Sequence, residues 1–472
     1  MGDAKDAVVM KIKVLLINPP IKNMINPEMP LFIRQHEGLF PPLGIMYIAA
    51  YLKKFLYCET KILDTIAEKL DYKEIYKYIK NFSPNIVGIT AHTHNLVDVI
   101  LTANLVKSID KHIHVCLGGP HVSIFPQEAI NIPTVDSVVS GEGEEAFAEI
   151  VKGLGENSDL RKIKGIIFKQ DKETINTGKK EDNVNLDSLP FPNRTLLDYR
   201  KYYNVLGKKT IMTTLVSSRG CPYQCSFCST PKGFYRMRSP ENVVNEIEEC
   251  KRLGIEDMHF VDDTFNVYAE RVIAICEEIK KRKLNIKWSF RGRIDKITEP
   301  LLRAVKSVGC YRINLGVETS TDEGLKRLNK GITIEQIRQV FKWTRSNRIN
   351  TVAYFLIGCP HEKNYNDIMN TISFSKELNP DFVLFNILTV YPGTELYKEG
   401  LQKGIFKNDH WKDFVSHPRK DFKLQFWEEW FSRRQLVKIL NLAYCKFYLR
   451  PKLILRIINS TQIMRLIIKK LN

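Results

Sequence analysis

Residues 13–17 (K-V-L-L-I) form an unbroken apolar run that stops at Asn18-Pro19-Pro20. Such a run, bounded by chain-bending residues, predicts a strand buried on both faces. The next apolar positions, over 43–55 after Pro41-Pro42, recur at helical spacing. Short strands over 61–64, 85–90, 114–117 and 137–139 then alternate with helices over 72–81, 96–109 and 144–154. This alternation predicts an α/β fold, a doubly wound Rossmann-like parallel sheet within residues 10–160. Ligands of such sheets lie beyond the carboxyl ends of the strands. Asn18, Thr90, Gly118, Gly119, His121, Ser140, Gly141 and Glu142 fall there and are candidate binding residues.

Residues 161–195 read as a connector. It has strand-like pieces at 165–170 and 174–177, then polar residues, then L-D-S-L-P-F-P with its two prolines. From 196 to 402 the strand-then-helix pattern returns, with strands over 209–216, 259–261, 287–290, 311–317, 351–357 and 382–390. Six such units fall short of the eight that close a barrel. The turns after these strands carry Asp263, Arg291, Arg293, Glu318, Gly358 and Tyr391, and barrel chemistry resides at that end. Asp263, Arg291 and Arg293 are candidates to hold a cofactor or a substrate anion. Asp262 and Glu395 read as capping or structural residues.

The first of these strands runs into S-S-R-G-C-P-Y-Q-C-S-F-C-S-T at 217–230, where Cys221, Cys225 and Cys228 have the spacing C-x3-C-x2-C. Three thiols so close in sequence converge on one centre only if the chain curls, and Gly220 and Pro222 suit that loop. Soft thiolates fit an iron–sulfur cluster or zinc. A closed site takes four protein ligands. The next cysteine is Cys250, so the pattern predicts a metal centre with one position open to a small molecule. Cys58, Cys116, Cys250, Cys276, Cys310, Cys359 and Cys445 lie in apolar or helical patterns and read as inert.

Composition adds a setting. The 472 residues, 44% apolar and 26% charged, are enough for two or three domains with full cores. Ten cysteines without a secretory signal predict a reducing, cytoplasmic compartment. The net charge of +18 is concentrated in the tail, since residues 431–472 hold ten Lys or Arg and no acid. Residues 403–472 read as a basic helical extension, with helices over 426–448 and 453–470 parted at Arg450-Pro451. The chain has no apolar run long enough to span a bilayer. The tail therefore predicts a cap on the second unit or peripheral contact with the inner face of an anionic membrane. Nucleic acid is disfavoured as a partner, because the last twenty residues offer no aromatic ring for base stacking.

C-x3-C-x2-C, with Phe227 just before its last cysteine, resembles the signature of the radical S-adenosylmethionine (SAM) enzymes. The resemblance implies a partial (β/α)6 barrel open at its side, and a [4Fe–4S] cluster held by Cys221, Cys225 and Cys228. It also implies SAM on the fourth iron, cleaved by one-electron reduction to a 5′-deoxyadenosyl radical. By the same resemblance Phe227, Asp263, Arg291, Arg293, Glu318, Gly358 and Tyr391 stand on the SAM side. Glu318 would meet its amino or ribose groups and Gly358 its adenine.

L-G-G-P-H at 117–121 and S-G-E-G-E at 140–144 resemble the cobalamin-binding domain of class B members of that family. This is the group that contains the anaerobic magnesium-protoporphyrin cyclase, P-methylases and hopanoid-modifying enzymes. The likeness implies cobalamin at the strand ends named above, with His121 beside the corrin. Many such domains place D-x-H-x-x-G after the first strand, and its His replaces the lower ligand of the cobalt. Here Asn18-Pro19-Pro20 stands there. Asp110-Lys111-His112 begins the pattern in the wrong place, with Val115 where Gly is needed, so cobalamin without a His ligand is expected.

The implied activity is methylation or rearrangement of an unactivated carbon, with electrons from a ferredoxin or flavodoxin and a lipid or isoprenoid-like substrate. Radical cyclisation without methyl transfer is the alternative. A tRNA methylthiotransferase would share the core, but it normally adds a three-cysteine N-terminal cluster domain and an RNA-binding barrel, and the sequence shows neither pattern.

Overall fold

The computed structural model describes residues 12–30, 33, 38–204, 210–230 and 234–450. The first sheet has seven strands: β1 (Lys13–Asn18), β2 (Glu59–Asp64), β3 (Ile86–Thr90), β4 (His114–Gly118), β5 (Ser137–Val139), β6 (Ile166–Gln170) and β7 (Glu173–Asn176). Their order is β2-β1-β3-β4-β5-β6-β7, and the first five are parallel. The apolar runs follow from burial on both faces. On β1, Leu15 and Ile17 pack under the helices Tyr72–Phe82 and Leu96–Ile109, while Val14 and Leu16 pack under Leu43–Phe55 and Gly143–Glu156. The order reverses between β1 and β3, which opens a crevice at their carboxyl ends.

The strand-like pieces expected at 165–170 and 174–177 form β6 and β7. They extend the sheet as an antiparallel pair, β6 against β5 and β7 against β6. The turn between them is Asp171-Lys172, both at positive φ (50° and 71°). That turn geometry normally announces itself by Gly or Asn, so Asp-Lys hid the hairpin.

The second sheet contains β8 (Met212–Leu215), β11 (Asp257–Phe260), β12 (Lys287–Gly292), β13 (Cys310–Glu318), β14 (Asn350–Ile357) and β15 (Phe382–Ile387), after a two-stranded ribbon of β9 (Ser218–Arg219) and β10 (Arg236–Met237). Its order is β15-β14-β13-β12-β11-β8, every pair parallel, as six strand–helix units demand. Met258, Phe260, Trp288, Phe290, Ile313, Leu315, Ala353 and Phe355 pack toward the outer helices. Alternation then leaves His259, Ser289, Arg312 and Asn314 on the inner face.

An unclosed barrel has two exposed edges to cover. At β8, Leu39 pairs with Tyr203 and Tyr203 with Ile211, so a segment from the first half borders the amino end of this edge strand. Beyond β15 the chain pairs with 425–427, Val390 N–H donating to Gln425 O at 3.2 Å and Trp427 N–H to Leu388 O at 3.3 Å. The helix Arg433–Tyr448 then lies on β15. Tyr448 Oη donates to Val383 O (2.8 Å) and accepts from Val383 N–H (3.1 Å), and Tyr444 Oη donates to Phe385 O (3.0 Å). The helix expected over 426–448 begins at 433 because Phe426 and Trp427 are extended along this edge. The described part of the basic tail is thus a cap on the barrel. The helix expected over 453–470 lies outside the described residues. Among the described residues no helix is long and apolar enough to cross a membrane.

Candidate active site

β8 delivers the chain to the cysteine loop, and the loop is tied at its start. Ser217 N–H and Oγ, with Ser218 Oγ, donate to the carboxylate of Asp262, which is 1% exposed. Asp262 is the structural residue expected. Gly220 follows at φ +83°, where a Cβ would stand 2.6 Å from Phe234 O. No other residue fits that bend. Cys228 N–H closes a turn onto Cys225 O at 3.2 Å, and Ser226 is pinned by Leu328 O and Leu396 N–H. Cys221 Sγ rests 3.5 Å from Thr264 Oγ1.

Two cations crowd Cys225. Arg293 covers the Tyr223 ring at 3.6 Å and brings Nη1 to 3.8 Å from Cys225 Sγ; its Nε donates to Asp295 and its Nη2 to Lys330 O. Lys330 Nζ donates to Glu318 Oε1 at 2.7 Å and lies 5.8 Å from the centre of the Phe227 ring. Burial pushes the Cys225 thiol up, and Lys330 and Arg293 oppose that shift. Glu318 itself sits at φ +72° where β13 bulges against β14. A Cβ on Gly316 would come within 2.3 Å of Glu318 Oε1, so this glycine makes room for the ion pair. Among the described residues no three His, Cys, Asp or Glu side chains converge as ligands of a single ion. A cubane cluster asks for something different, because each thiolate binds its own iron.

The remaining strand-end candidates scatter. Asp263 stands at the mouth, its carboxyl raised by desolvation and then by Asp262, with Arg291 opposing. Gly358, at φ +74°, faces the capping helix, where a Cβ would lie 2.7 Å from Leu436 Cδ2. Its N–H and that of Cys359 donate to Glu362 Oε2 at 2.7 and 2.9 Å, and Thr371 Oγ1 donates to Glu362 Oε1. Tyr391 packs against Trp411 and His94, both 5.7 Å away, and those two rings also meet.

At the switch point of the first sheet lies a cavity of ≈ 330 Å³. Its floor is backbone at Gly88, Gly118, Gly119, Gly141 and Gly143, and its apolar walls are Ile45, Ile48 and Phe147. A Cβ on Gly141 would meet nothing, and one on Gly118 only Val139 O at 4.0 Å, so both leave open space. Arg219 closes one end. It bonds Glu142 at 3.0 Å and Glu144 at 2.5 Å, and Arg236 bonds Glu142 at 2.7 Å. Burial alone would raise the Glu142 carboxyl, but the two guanidinium groups hold it below the usual range.

Residues 215–375 match the Radical SAM superfamily, and residues 31–151 match the B12 binding domain. The chain is 33% identical over 453 residues to an uncharacterized methyltransferase of Pyrococcus horikoshii, with 95% of each chain covered. The chain belongs to the cobalamin-binding radical SAM family. It is also 29% identical to the anaerobic magnesium-protoporphyrin IX monomethyl ester cyclase of Rubrivivax gelatinosus, over 77% of this chain and 66% of that one. Its fold resembles that of TsrM, a radical SAM methyltransferase of Kitasatospora setae, with a TM-score of 0.68 at 20% identity, covering 84% of this chain and 75% of that chain.

As a cobalamin-binding radical SAM enzyme, the chain uses a [4Fe–4S] cluster, SAM and cobalamin. The residues fit all three. The cysteine loop offers three thiols beside cations that favour an anionic cluster, and the backbone-floored cavity suits a flat ligand group. Of the candidates on the cobalamin side, Thr90, Gly118, Gly119, Gly141 and Glu142 line the cavity. Asn18 instead ties β1 to Asp64 (Nδ2 to Oδ1, 2.8 Å), and Ser140 N–H bonds Gly165 O. His121 is buried beside Thr93, its Nδ1 3.0 Å from Thr93 Oγ1, and is not among the lining residues. Around the cysteines, Phe227, Arg293 and Glu318 come together, and Gly358 and Tyr391 contact the capping segments.

Sequence reasoning missed Lys330, Glu144, Arg219 and Glu362. Lys330, Glu144 and Arg219 act through partners distant in sequence, and Glu362 accepts from N–H groups four and three residues before it.

Proposed function

We propose that this radical SAM enzyme methylates an unactivated carbon of a small molecule bound in the barrel lumen. The observation that carries the reading is Arg219. It walls the cobalamin cavity, bonded to Glu142 and Glu144, and stands two residues before Cys221. When bound, the cluster and SAM supply a hydrogen-abstracting 5′-deoxyadenosyl radical, and cobalamin supplies the methyl group. The chain's own work is to hold and orient. Cys221, Cys225 and Cys228 hold the cluster, and Arg293 fixes the loop by its contacts to Tyr223 and Cys225. Glu318 and Lys330, beside Cys225, offer a carboxylate and an ammonium to the amino-acid end of SAM. The cavity takes the nucleotide tail of cobalamin, since ≈ 330 Å³ is at the small end of ligand pockets.

The test is direct. Anaerobically purified protein should carry one [4Fe–4S] cluster and release 5′-deoxyadenosine from SAM on reduction, and Cys225→Ala should lose both. Retention of iron and SAM cleavage by that variant would overturn the assignment. Cyclisation without methyl transfer is the second reading, and the similarity to the cyclase of Rubrivivax gelatinosus favours it.

The lipid or isoprenoid character of the substrate, and contact with a membrane, rest on the ten cations and absent acids of 431–472. Sedimentation with anionic but not neutral vesicles at low salt is expected. Full-length protein that stays in the supernatant with both would remove that part. A ferredoxin or flavodoxin is the proposed electron donor, and loss of SAM cleavage when each is withheld from a reducing system tests it.

A further inference from the structure

The inner face of the barrel carries a row of polar side chains that the chemistry above leaves unused. Thr214 on β8 is in register with His259 on β11, His259 with Ser289 on β12, and Ser289 with Arg312 on β13. Their strand neighbours Leu215, Phe260, Trp288, Phe290 and Ile313 belong to the apolar core under the helices. Alternation therefore turns these four side chains toward the lumen.

Arg312 is 3% exposed. Its Nη2 donates to Ser289 Oγ at 3.3 Å, and its Nε and Nη1 have no partner. Thr214 Oγ1 is likewise buried without one, as is Asn314 Oδ1, two residues along β13. Asp257 lies within electrostatic reach of Arg312 but takes none of its hydrogen bonds; its carboxylate accepts from Tyr311 Oη at 3.1 Å and Thr210 Oγ1 at 3.2 Å. His259 is no counter-ion. Burial, then Arg312 and Arg291, push its pKa down to about 3, so the ring is neutral and bonded to Ser289. Arg291, which is exposed, is in register with Asn314, and the two connect the row to the mouth.

A sequestered guanidinium with unpaired donors is costly unless something pairs with it. Its planar fork matches a carboxylate or a phosphate. From these observations we infer that the lumen receives an acidic group of the substrate, a carboxylate or a phosphate, on Arg312, with Arg291 above it. Asn314 Oδ1 is left as an acceptor for a hydroxyl or amine of the ligand, and Thr214, three strands away from Arg312, lies at the far end of the row. This specificity rests on the reading of the lumen as the substrate site.

The experiment uses full-length protein reconstituted with cluster, SAM and cobalamin, so that the other anion-accepting sites are filled. Inorganic phosphate and acetate are titrated separately by calorimetry at low salt. Saturable one-to-one binding of at least one is expected, and the one bound more tightly assigns the group. Arg312→Gln should weaken that binding at least tenfold. Asn314→Asp, which keeps the guanidinium and sets a carboxylate on the same face, should weaken it comparably, so a discriminating measurement remains if the first variant does not fold. Absence of saturable binding to the wild-type protein overturns the proposal. So does wild-type affinity in folded Arg312→Gln or Asn314→Asp. SAM cleavage by the wild-type protein is measured alongside. Its failure would count against the radical reading, while the anion titration decides the lumen site independently.

Discussion

Glu362 shows how much one buried carboxyl can govern. It is 1% exposed, and burial raises it from 4.5 to about 7, against the bonds from Cys359, Thr371 and Gly358 that favour its anion. Between about pH 4.5 and 7 the unfolded chain has lost this proton while the folded chain keeps it. The group therefore makes stability fall as pH rises through that window, and it has no further effect above it. A shift of this size corresponds to about 3 kcal/mol. Glu362→Gln removes the titration, so its stability relative to wild type should improve from about pH 5 to about pH 7.5 in urea melts. A constant difference across that range would contradict the account. No local pattern around F-L-I-G-C-P-H marks Glu362, and only its burial makes it matter.

At the scale of elements, the open edge of the barrel depends on two hydroxyls. Tyr448 Oη both donates to and accepts from the backbone of Val383, the work that a seventh strand would do. Tyr448→Phe leaves a buried N–H and C=O without partners, which costs about 1–3 kcal/mol per group. Tyr444→Phe loses one bond to Phe385 O and should cost less. Thermal denaturation of the two variants checks the order; a Tyr448→Phe protein as stable as wild type would mean that water serves this edge. Helical spacing in the tail was readable from sequence, as were the strands it covers. That tyrosines would stand in for a strand was not, since it depends on which edge the helix meets.

Across the whole molecule, Arg219 joins the two halves of the chemistry. Its partners Glu142 and Glu144 follow β5, and it stands two residues before Cys221. Arg219→Ala would leave two sequestered carboxylates with Arg236 as the remaining cation. Cobalamin affinity, measured by equilibrium dialysis, should fall roughly tenfold, on the order of 1.4 kcal/mol. Faster proteolysis between the halves should accompany it. An unchanged affinity would reduce Arg219 to a surface contact.

The local parts of this protein were legible in its sequence. Unbroken apolar runs such as that of β1 predicted buried parallel strands because burial on both faces leaves no polar position. The three cysteines predicted a thiolate metal centre with one open position, which the resemblance to the radical SAM signature made an iron–sulfur cluster. The strand-end positions followed from the alternation of strand and helix. The tertiary structure decided what depends on distant partners: the hairpin over Asp171-Lys172, the ion pair of Lys330 with Glu318, and the removal of His121 and Asn18 from the cavity wall. It also decided the meaning of Arg312, an ordinary strand residue in sequence. Periodicity states which way a side chain points, but whether a buried charge finds a counter-ion depends on the strands packed beside it.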